Sequence, residues 1–181
     1  KIIQYAFDFL VMLGTPMVVG IVLLAYPITF IIASPEFLSR LAEGFYGSDI
    51  AMQILIFALF FSFINTLLTF LLIANNKQHF LLWVNGICVV FNILMNFVWI
   101  PVYGFRAAAV ITVLTEILLL CCVSLFVRRT IAFRLSLTTL LKAICAAGMM
   151  GIIVEFLRAP TYTFLQNWNV FLLSAIGAVV Y

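Results

Sequence analysis

The sequence has very little charge for its length. Of its 181 residues, 8% are Asp, Glu, Lys or Arg, and there is a single histidine, His79. Soluble domains carry about 25% charged residues, whereas 67% of this chain is hydrophobic. A globule of this composition has too few polar groups to cover its surface in water. We therefore expect lipid to be the main solvent of the chain.

The sequence also lacks the residue clusters that carry chemistry. Its four cysteines, at positions 88, 121, 122 and 145, lie within apolar runs and have neither zinc-ligand spacing nor a partner histidine. No nucleophile–base pair and no metal cluster is apparent, so we expect no enzyme activity, no metal and no cofactor. No basic run with interleaved aromatics indicates nucleic acid, and nothing resembles a signal peptide.

Long apolar runs are abundant instead. Six hydrophobic segments lie at residues 5–33, 50–74, 80–100, 104–127, 137–157 and 168–181. Because backbone groups in lipid must hydrogen-bond to one another, runs of this length indicate helices. The last run is shorter than the roughly 20 residues that a span requires, and the first residue is Lys1 rather than methionine. We expect an all-α, polytopic transmembrane helix bundle of about six helices, one transmembrane region over residues 1–181 and an excerpt of a longer transporter.

Charged residues between these segments predict an orientation. With a cytoplasmic N-terminus, the cytoplasmic side carries six basic residues and the outside carries three. The six are Lys1, Lys77, Arg128, Arg129, Arg134 and Lys142, and the three are Arg40, Arg106 and Arg158. Since basic residues near span ends favour the cytoplasm, we expect the N-terminus of the chain to lie there.

A few polar side chains interrupt the apolar segments. The candidates for a transport path are Asn65, Asn85, Asn92, Asn96, Thr112 and Glu116. The three asparagines of the third segment fall within about 40° of one another around a helix. A charged side chain at the bilayer centre costs roughly 2.5–3.5 kcal/mol, so Glu116 should face the bundle or a wet cavity. Cavity lining and helix packing both remain open for this set.

Proline and glycine mark candidate hinges. They are Pro16, Gly20, Pro27, Pro101 and Gly104. Each proline removes an amide donor and kinks a helix, so the first segment is expected to be interrupted. The last two residues are expected to end the third helix and turn the chain outside the membrane. Asp8 and Arg106 are weaker site candidates, because each is expected near a membrane interface.

Residues 71–120 carry a family resemblance. The turn at 72–78, Asn92 with Asn96, the Ile-Pro-x-Tyr-Gly break at 100–104, the alanines at 107–109 and Thr112 with Glu116 follow one after another. This order resembles the polysaccharide and oligosaccharide (lipid-linked saccharide) flippases of the multidrug/oligosaccharidyl-lipid/polysaccharide exporter superfamily. The chain departs from the family in having Arg106-Ala-Ala where members often have Gly-Ala-Ala.

The resemblance implies a transporter of about 12–14 helices in two pseudo-symmetric lobes that alternate access around a central site. This chain would be most of the second lobe, with an N-terminal lobe of the same protein and membrane lipid as partners. The substrate would be a polyprenyl-diphosphate-linked saccharide, and the location the cell membrane of a bacterium or archaeon. A multidrug/cation antiporter of the same superfamily and a non-transporting membrane scaffold remain as alternatives.

Overall fold

The structure, a computed structural model, describes residues 2–33, 35–40, 46–130, 137–165 and 169–181. Within them the chain forms six α-helices and no strand. The helices are α1 (Ile2–Ile32), α2 (Ser48–Ala74), α3 (Gln78–Tyr103), α4 (Phe105–Thr130), α5 (Leu137–Leu165) and α6 (Asn169–Val180). A short 3-10 turn, Pro35–Phe37, follows α1. The prediction of an all-α bundle is confirmed.

Four of these helices, α1 to α4, are long and apolar enough to cross a membrane. At about 1.5 Å per residue, even the 26-residue α3 exceeds the roughly 30 Å of a bilayer's hydrocarbon core. The chain is therefore an integral membrane protein. The fifth predicted segment ends at 157, whereas α5 continues to Leu165. The sixth corresponds to α6, which has 12 residues. Membrane crossing by α5 and α6 stays a prediction.

Helix α1 connects two groups of helices. On one side α2 packs against both α1 and α4, and α3 packs against α4. On the other side α5 packs against α1, and α6 packs against both α5 and α1. Helix α1 therefore packs against α2 on one side and against α5 and α6 on the other, whereas α4 joins α2 to α3.

Two hydrophobic cores lie at opposite ends of the bundle. The first contains Phe7 and Val11 of α1 together with residues of α2, α3, α4 and α5. It lies at the end that carries Lys77, Arg128 and Arg129, which we call the basic end. The second core is built around Leu24 of α1, with partners from α5 and α6 only. The two halves of α1 therefore belong to different cores.

Small residues allow close helix approach at two places on α1. A Cβ atom on Gly14 would lie 2.8 Å from the ring of Phe60 on α2. A Cβ atom on Gly151 of α5 would lie 2.8 Å from Cγ1 of Val19. Such distances are too short for non-bonded carbons, so any side chain at either glycine would require the facing Phe60 or Val19 side chain, or the helix itself, to shift.

The helix α1 is continuous through Pro16, Gly20 and Pro27. The segment is therefore unbroken, contrary to the expected interruption, and a hinge or kink role for these residues stays a prediction. A proline removes one amide donor, but the helical bonds on either side of it hold the segment together, and packing against α2 and α5 supports it from both sides. The helical geometry continues across all three residues.

The turn between α2 and α3 is a Schellman motif at the basic end. Asn76 has a positive φ of 56°. The amide of Lys77 donates to the carbonyl of Leu72 at 2.9 Å, and the amide of Asn76 donates to that of Ile73 at 3.0 Å. These two bonds satisfy carbonyls that the end of α2 leaves unpaired. Asparagine is one of the few non-glycine residues that tolerates this left-handed conformation.

A single residue, Gly104, separates α3 from α4. Its φ of 66° and ψ of −154° lie in a region that is essentially restricted to glycine. The helix α3 continues through Pro101 to Tyr103, so the expectation that Pro101 ends it is wrong. Pro101 lies in the last turn of α3, where it removes only one helical hydrogen bond. The chain reverses direction three residues later, at Gly104.

Candidate functional site

Helix α4 lies between α2 and α3 and makes a polar contact with each. Toward α2, the side-chain nitrogen Nδ2 of Asn65 donates to carboxyl oxygen Oε2 of Glu116 at 2.7 Å. The same nitrogen donates to the backbone carbonyl of Glu116 at 3.0 Å. Asn65 is only 3% exposed, so this contact is shielded within the α2–α4 interface. Asn65 therefore fixes both the main chain and the side chain of Glu116.

Toward α3, the contact is made by Asn92. Its Nδ2 donates to the hydroxyl of Thr115 at 3.0 Å, and that hydroxyl donates to the carbonyl of Ile111 at 2.8 Å. Asn96, one turn further along α3, donates to Oδ1 of Asn92 at 2.8 Å and to its backbone carbonyl at 2.9 Å. The three side chains thus form a chain of hydrogen bonds that orients the Asn92 amide.

These two contacts meet at a cleft of about 280 Å³ between α3 and α4. Its polar lining comes from Asn85, Asn92, Thr115 and Glu116, with Cys88 beside them. Its apolar lining consists of one valine, one isoleucine and one leucine, namely Val89, Ile93 and Leu119. Cys88 also belongs to the core of the basic end. The cleft therefore begins where that core stops. We call it the polar cleft.

The structure groups most of the sequence candidates here and shows their pairing, which is Asn65 with Glu116 and Asn92 with Thr115. Asn65, Asn85, Asn92 and Glu116 all reach the cleft or its wall, whereas Thr112 donates only to the carbonyl of Ala108 in its own helix. Thr115 was not predicted, although it is the partner of Asn92. Residues 115 and 116 are about 100° apart around α4, so one faces α3 while the other faces α2.

Three side-chain oxygens within the described residues are buried without a hydrogen-bond partner. They are Oδ1 of Asp8, Oδ1 of Asn65 and Oδ1 of Asn96. Leaving a buried acceptor unpaired costs about 1–3 kcal/mol. Two of the three belong to the hydrogen-bonded asparagines beside the polar cleft. Asp8 lies on α1, away from the cleft lining, and the structure does not connect it to the site.

Arg106 lies at the end of the bundle opposite the basic end. Its guanidinium carbon is 3.6 Å from the ring centroid of Tyr46, a cation–π contact worth about 0.5–2 kcal/mol. The segment that holds Tyr46 is fixed by Asp49, which accepts hydrogen bonds from the backbone amide and the hydroxyl of Ser39. Gly47 lies so close to that backbone that a Cβ atom would be 2.3 Å from the Ser39 nitrogen. Arg106 thus secures a loop rather than lining the polar cleft.

A second cleft, of about 670 Å³, lies between α1, α5 and α6. It is almost wholly apolar, and Pro16 and Gly20 lie on its wall. Tyr181 is its main polar residue, with its hydroxyl 3.1 Å from that of Thr15. Pro27 is buried and lies outside this lining. Two of the candidate hinge residues therefore face open space.

The described residues contain no group of three or more His, Cys, Asp or Glu side chains placed to hold a metal ion. Comparisons of the chain with known protein families, with curated proteins and with solved structures find no match. The fold and composition define the class of protein, an all-α integral membrane helix bundle. A narrower assignment depends on the residues of the site.

Proposed function

We propose that the chain forms part of a membrane transporter of the flippase kind, which moves a polyprenyl-diphosphate-linked saccharide from the cytoplasmic to the outer leaflet. The observation that carries the proposal is the polar cleft, in which a carboxyl and two amides lie at mid-helix on membrane-spanning helices. Ionisable residues within spans usually face the bundle interior and mark substrate or ion pathways. The order of motifs from residue 72 to Glu116 supports the narrower class.

In this proposal the chain is the second of two lobes, and the cleft faces the cavity between them. Alternating access then rocks one lobe against the other. The basic end, with Lys77, Arg128 and Arg129, lies in the cytoplasm, as the distribution of basic residues favours. The location is the cell membrane of a bacterium or archaeon.

The polar cleft also bears on the scaffold alternative. A scaffold needs its polar groups in tight, dry helix contacts. The contact between Asn65 and Glu116 is of that kind. However, Asn85 is exposed to the cleft, and Glu116 and Asn92 line about 280 Å³ of open space. Open polar space between spanning helices favours transport over a purely packing role.

One observation favours the cation antiporter as a second candidate. Among the described residues that line the polar cleft, the only ionisable side chains are the carboxyl of Glu116 and the thiol of Cys88, and none is a lysine or an arginine. An acidic cleft suits a cationic substrate. The cleft nevertheless has no aromatic lining, and aromatic faces are a common means of binding organic cations. The flippase therefore remains the first proposal.

The test uses the full-length parent in cells that depend on it for surface polysaccharide. Glu116→Gln, and separately Asn92→Ala with Asn96→Ala, should reduce flipping of the lipid-linked saccharide, because they remove the carboxylate or the amide chain from the cleft. Ser124→Ala is the control, since its hydroxyl bonds only within α4, to the carbonyl of Cys121. Unchanged flipping at normal protein levels in both variants would contradict the proposal. Loss of drug-cation efflux instead would support the antiporter.

A further inference from the structure

The free hydrogen-bonding groups of the polar cleft are of mixed type. Oxygen Oε2 of Glu116 is taken by Asn65, and no described residue bonds Oε1. The Asn85 amide, which has two donor hydrogens and an acceptor oxygen, is exposed at the cleft. The amide of Asn92 uses one of its two hydrogens for Thr115. A ligand in the cleft thus meets donors and acceptors side by side.

Sugar hydroxyls suit such a lining because each hydroxyl both donates and accepts. An ionised carboxyl accepts only, and it forms strong, charge-assisted bonds with hydroxyl donors. The apolar wall of Val89, Ile93 and Leu119 can cover the C–H face of a ring. One side of the cleft therefore offers hydrogen bonds and the other offers apolar contact, as a pyranose requires.

A diphosphate is poorly suited to the same place. Its oxygens accept hydrogen bonds and carry negative charge, so it is bound by arginine, lysine or clustered donors. The polar cleft has none of these cations and has a carboxyl instead. Arg106, the nearest basic residue to Glu116 along α4, is ten residues away, about 15 Å along the helix. Its guanidinium is stacked on Tyr46.

The size of the cleft limits the ligand further. Pockets for drug-sized ligands occupy about 300–1,000 Å³, and the polar cleft, with about 280 Å³, lies just below that range. It has room for one ring with its hydroxyls, and an oligosaccharide would have to extend beyond it.

We propose that the polar cleft between α3 and α4 binds a single uncharged sugar ring of the transported saccharide, while the diphosphate is held elsewhere in the transporter. This proposal rests on the proposed function and specifies which part of the substrate this lobe recognises. Asn85 and Glu116 supply the direct contacts. Asn65, Asn96 and Thr115 act as positioning residues, because they hold Glu116 and Asn92 in place.

The test measures binding to the purified chain in lipid nanodiscs by ligand-observed NMR. The probes are the methyl glycosides of glucose, galactose and N-acetylglucosamine, and inorganic pyrophosphate is the anionic competitor. We expect at least one glycoside to bind and pyrophosphate to bind no more than it does to empty nanodiscs. Asn85→Ala should weaken glycoside binding about threefold to tenfold, as loss of one or two hydrogen bonds predicts.

The matched control is Asn75→Ala, which removes an exposed asparagine amide outside the cleft. It should leave glycoside affinity unchanged. Because Asn85 is exposed, its removal should not affect folding, and equal thermal stability of the two variants checks this. The inference is overturned if no glycoside binds at its solubility limit. It is also overturned if Asn85→Ala has no effect, or if pyrophosphate binds and Asn85→Ala weakens that binding.

Failure of this inference can be told apart from failure of the proposed function. Pyrophosphate binding in the cleft, together with flipping that depends on Glu116, would contradict the sugar site and leave the flippase standing. Glycoside binding that depends on Asn85, together with normal flipping in the Glu116→Gln parent, would support the sugar site and contradict its role in flipping.

Discussion

The contact between Asn65 and Glu116 allows a test in which donor and acceptor exchange places. Asn65→Asp replaces the amide that donates to Oε2 at 2.7 Å with a second carboxyl of nearly the same shape. Asn65→Leu removes the polar group altogether. The double variant Asn65→Asp with Glu116→Gln restores one donor and one acceptor with their positions reversed. The three variants separate the effects of charge, hydrogen bonding and shape.

The expected magnitudes follow from the geometry. Asn65→Asp places a second acceptor against Oε2 and the backbone carbonyl of Glu116 in place of their donor, and breaking a buried polar pair in this way costs about 3–5 kcal/mol. Asn65→Leu loses two hydrogen bonds, worth about 0.6 kcal/mol each between membrane helices. It also removes the unpaired Oδ1 of Asn65, which offsets about 1 kcal/mol, but it leaves Oε2 of Glu116 without its donor, which costs about 1–3 kcal/mol. We therefore expect a loss of about 4 kcal/mol for Asn65→Asp and a smaller loss, about 1–3 kcal/mol, for Asn65→Leu.

The measurement is thermal unfolding of the purified chain in detergent. For a chain of this length 1 kcal/mol corresponds to about 2–4 °C in Tm, so Asn65→Asp should unfold about 8–16 °C below the unmodified chain at pH 7. The double variant should recover most of the stability, because it restores one donor and one acceptor between α2 and α4. Equal Tm values for Asn65→Asp and Asn65→Leu at pH 7 would refute the reasoning.

Three further substitutions, two of them paired with a control substitution, test the packing of the fold by the same measurement. Gly47→Ala should lower stability by about 2 kcal/mol or more, because its Cβ would overlap the preceding backbone, whereas Gly86→Ala, with open space around it, should stabilise by up to about 1 kcal/mol; similar effects of the two would contradict the close approach. Gly151→Ala should destabilise by about 1–2 kcal/mol because its Cβ meets a valine of α1, and Gly148→Ala, which meets nothing, should not. Asn76→Gly should stabilise by about 0.5–1 kcal/mol, because glycine adopts the positive φ of that turn without strain; a loss of stability would show that the asparagine side chain contributes more than its backbone conformation costs.

The sequence predicts the helical bundle well because length and hydropathy suffice for it. A run of 25 or so apolar residues has few alternatives to a helix in lipid, so the boundaries near Ala74 and Gln78 lie close to the predicted ones. The effect of proline is harder to predict. Pro16 and Pro101 each remove a donor, but whether the helix ends there depends on packing and on the next residue that can reverse the chain, which for α3 is Gly104.

Most residues of the candidate site were predictable from the sequence, but the hydrogen-bonded pairs that they form were not. Glu116 and Asn92 stand out because polar groups are rare in apolar helices. Which neighbour each one faces depends on how α4 is rotated, and a helix that is apolar on all sides carries little information about rotation. Thr115 was missed for this reason, since a threonine next to a glutamate can lie on either side of the helix.

The division of α1 between two cores has a consequence for biogenesis. The chain is synthesised from its N-terminus, so the half of α1 that holds Phe7 can form most of its core, all but the contribution of Ala143 from α5, as soon as α2, α3 and α4 have entered the membrane. The half that holds Leu24 finds its hydrophobic core partners in α5 and α6, which emerge later. Until then the face of that half that joins the second core is exposed to lipid or to the insertion machinery. Assembly should therefore proceed in two stages, with α1 docked at one end before its other end closes.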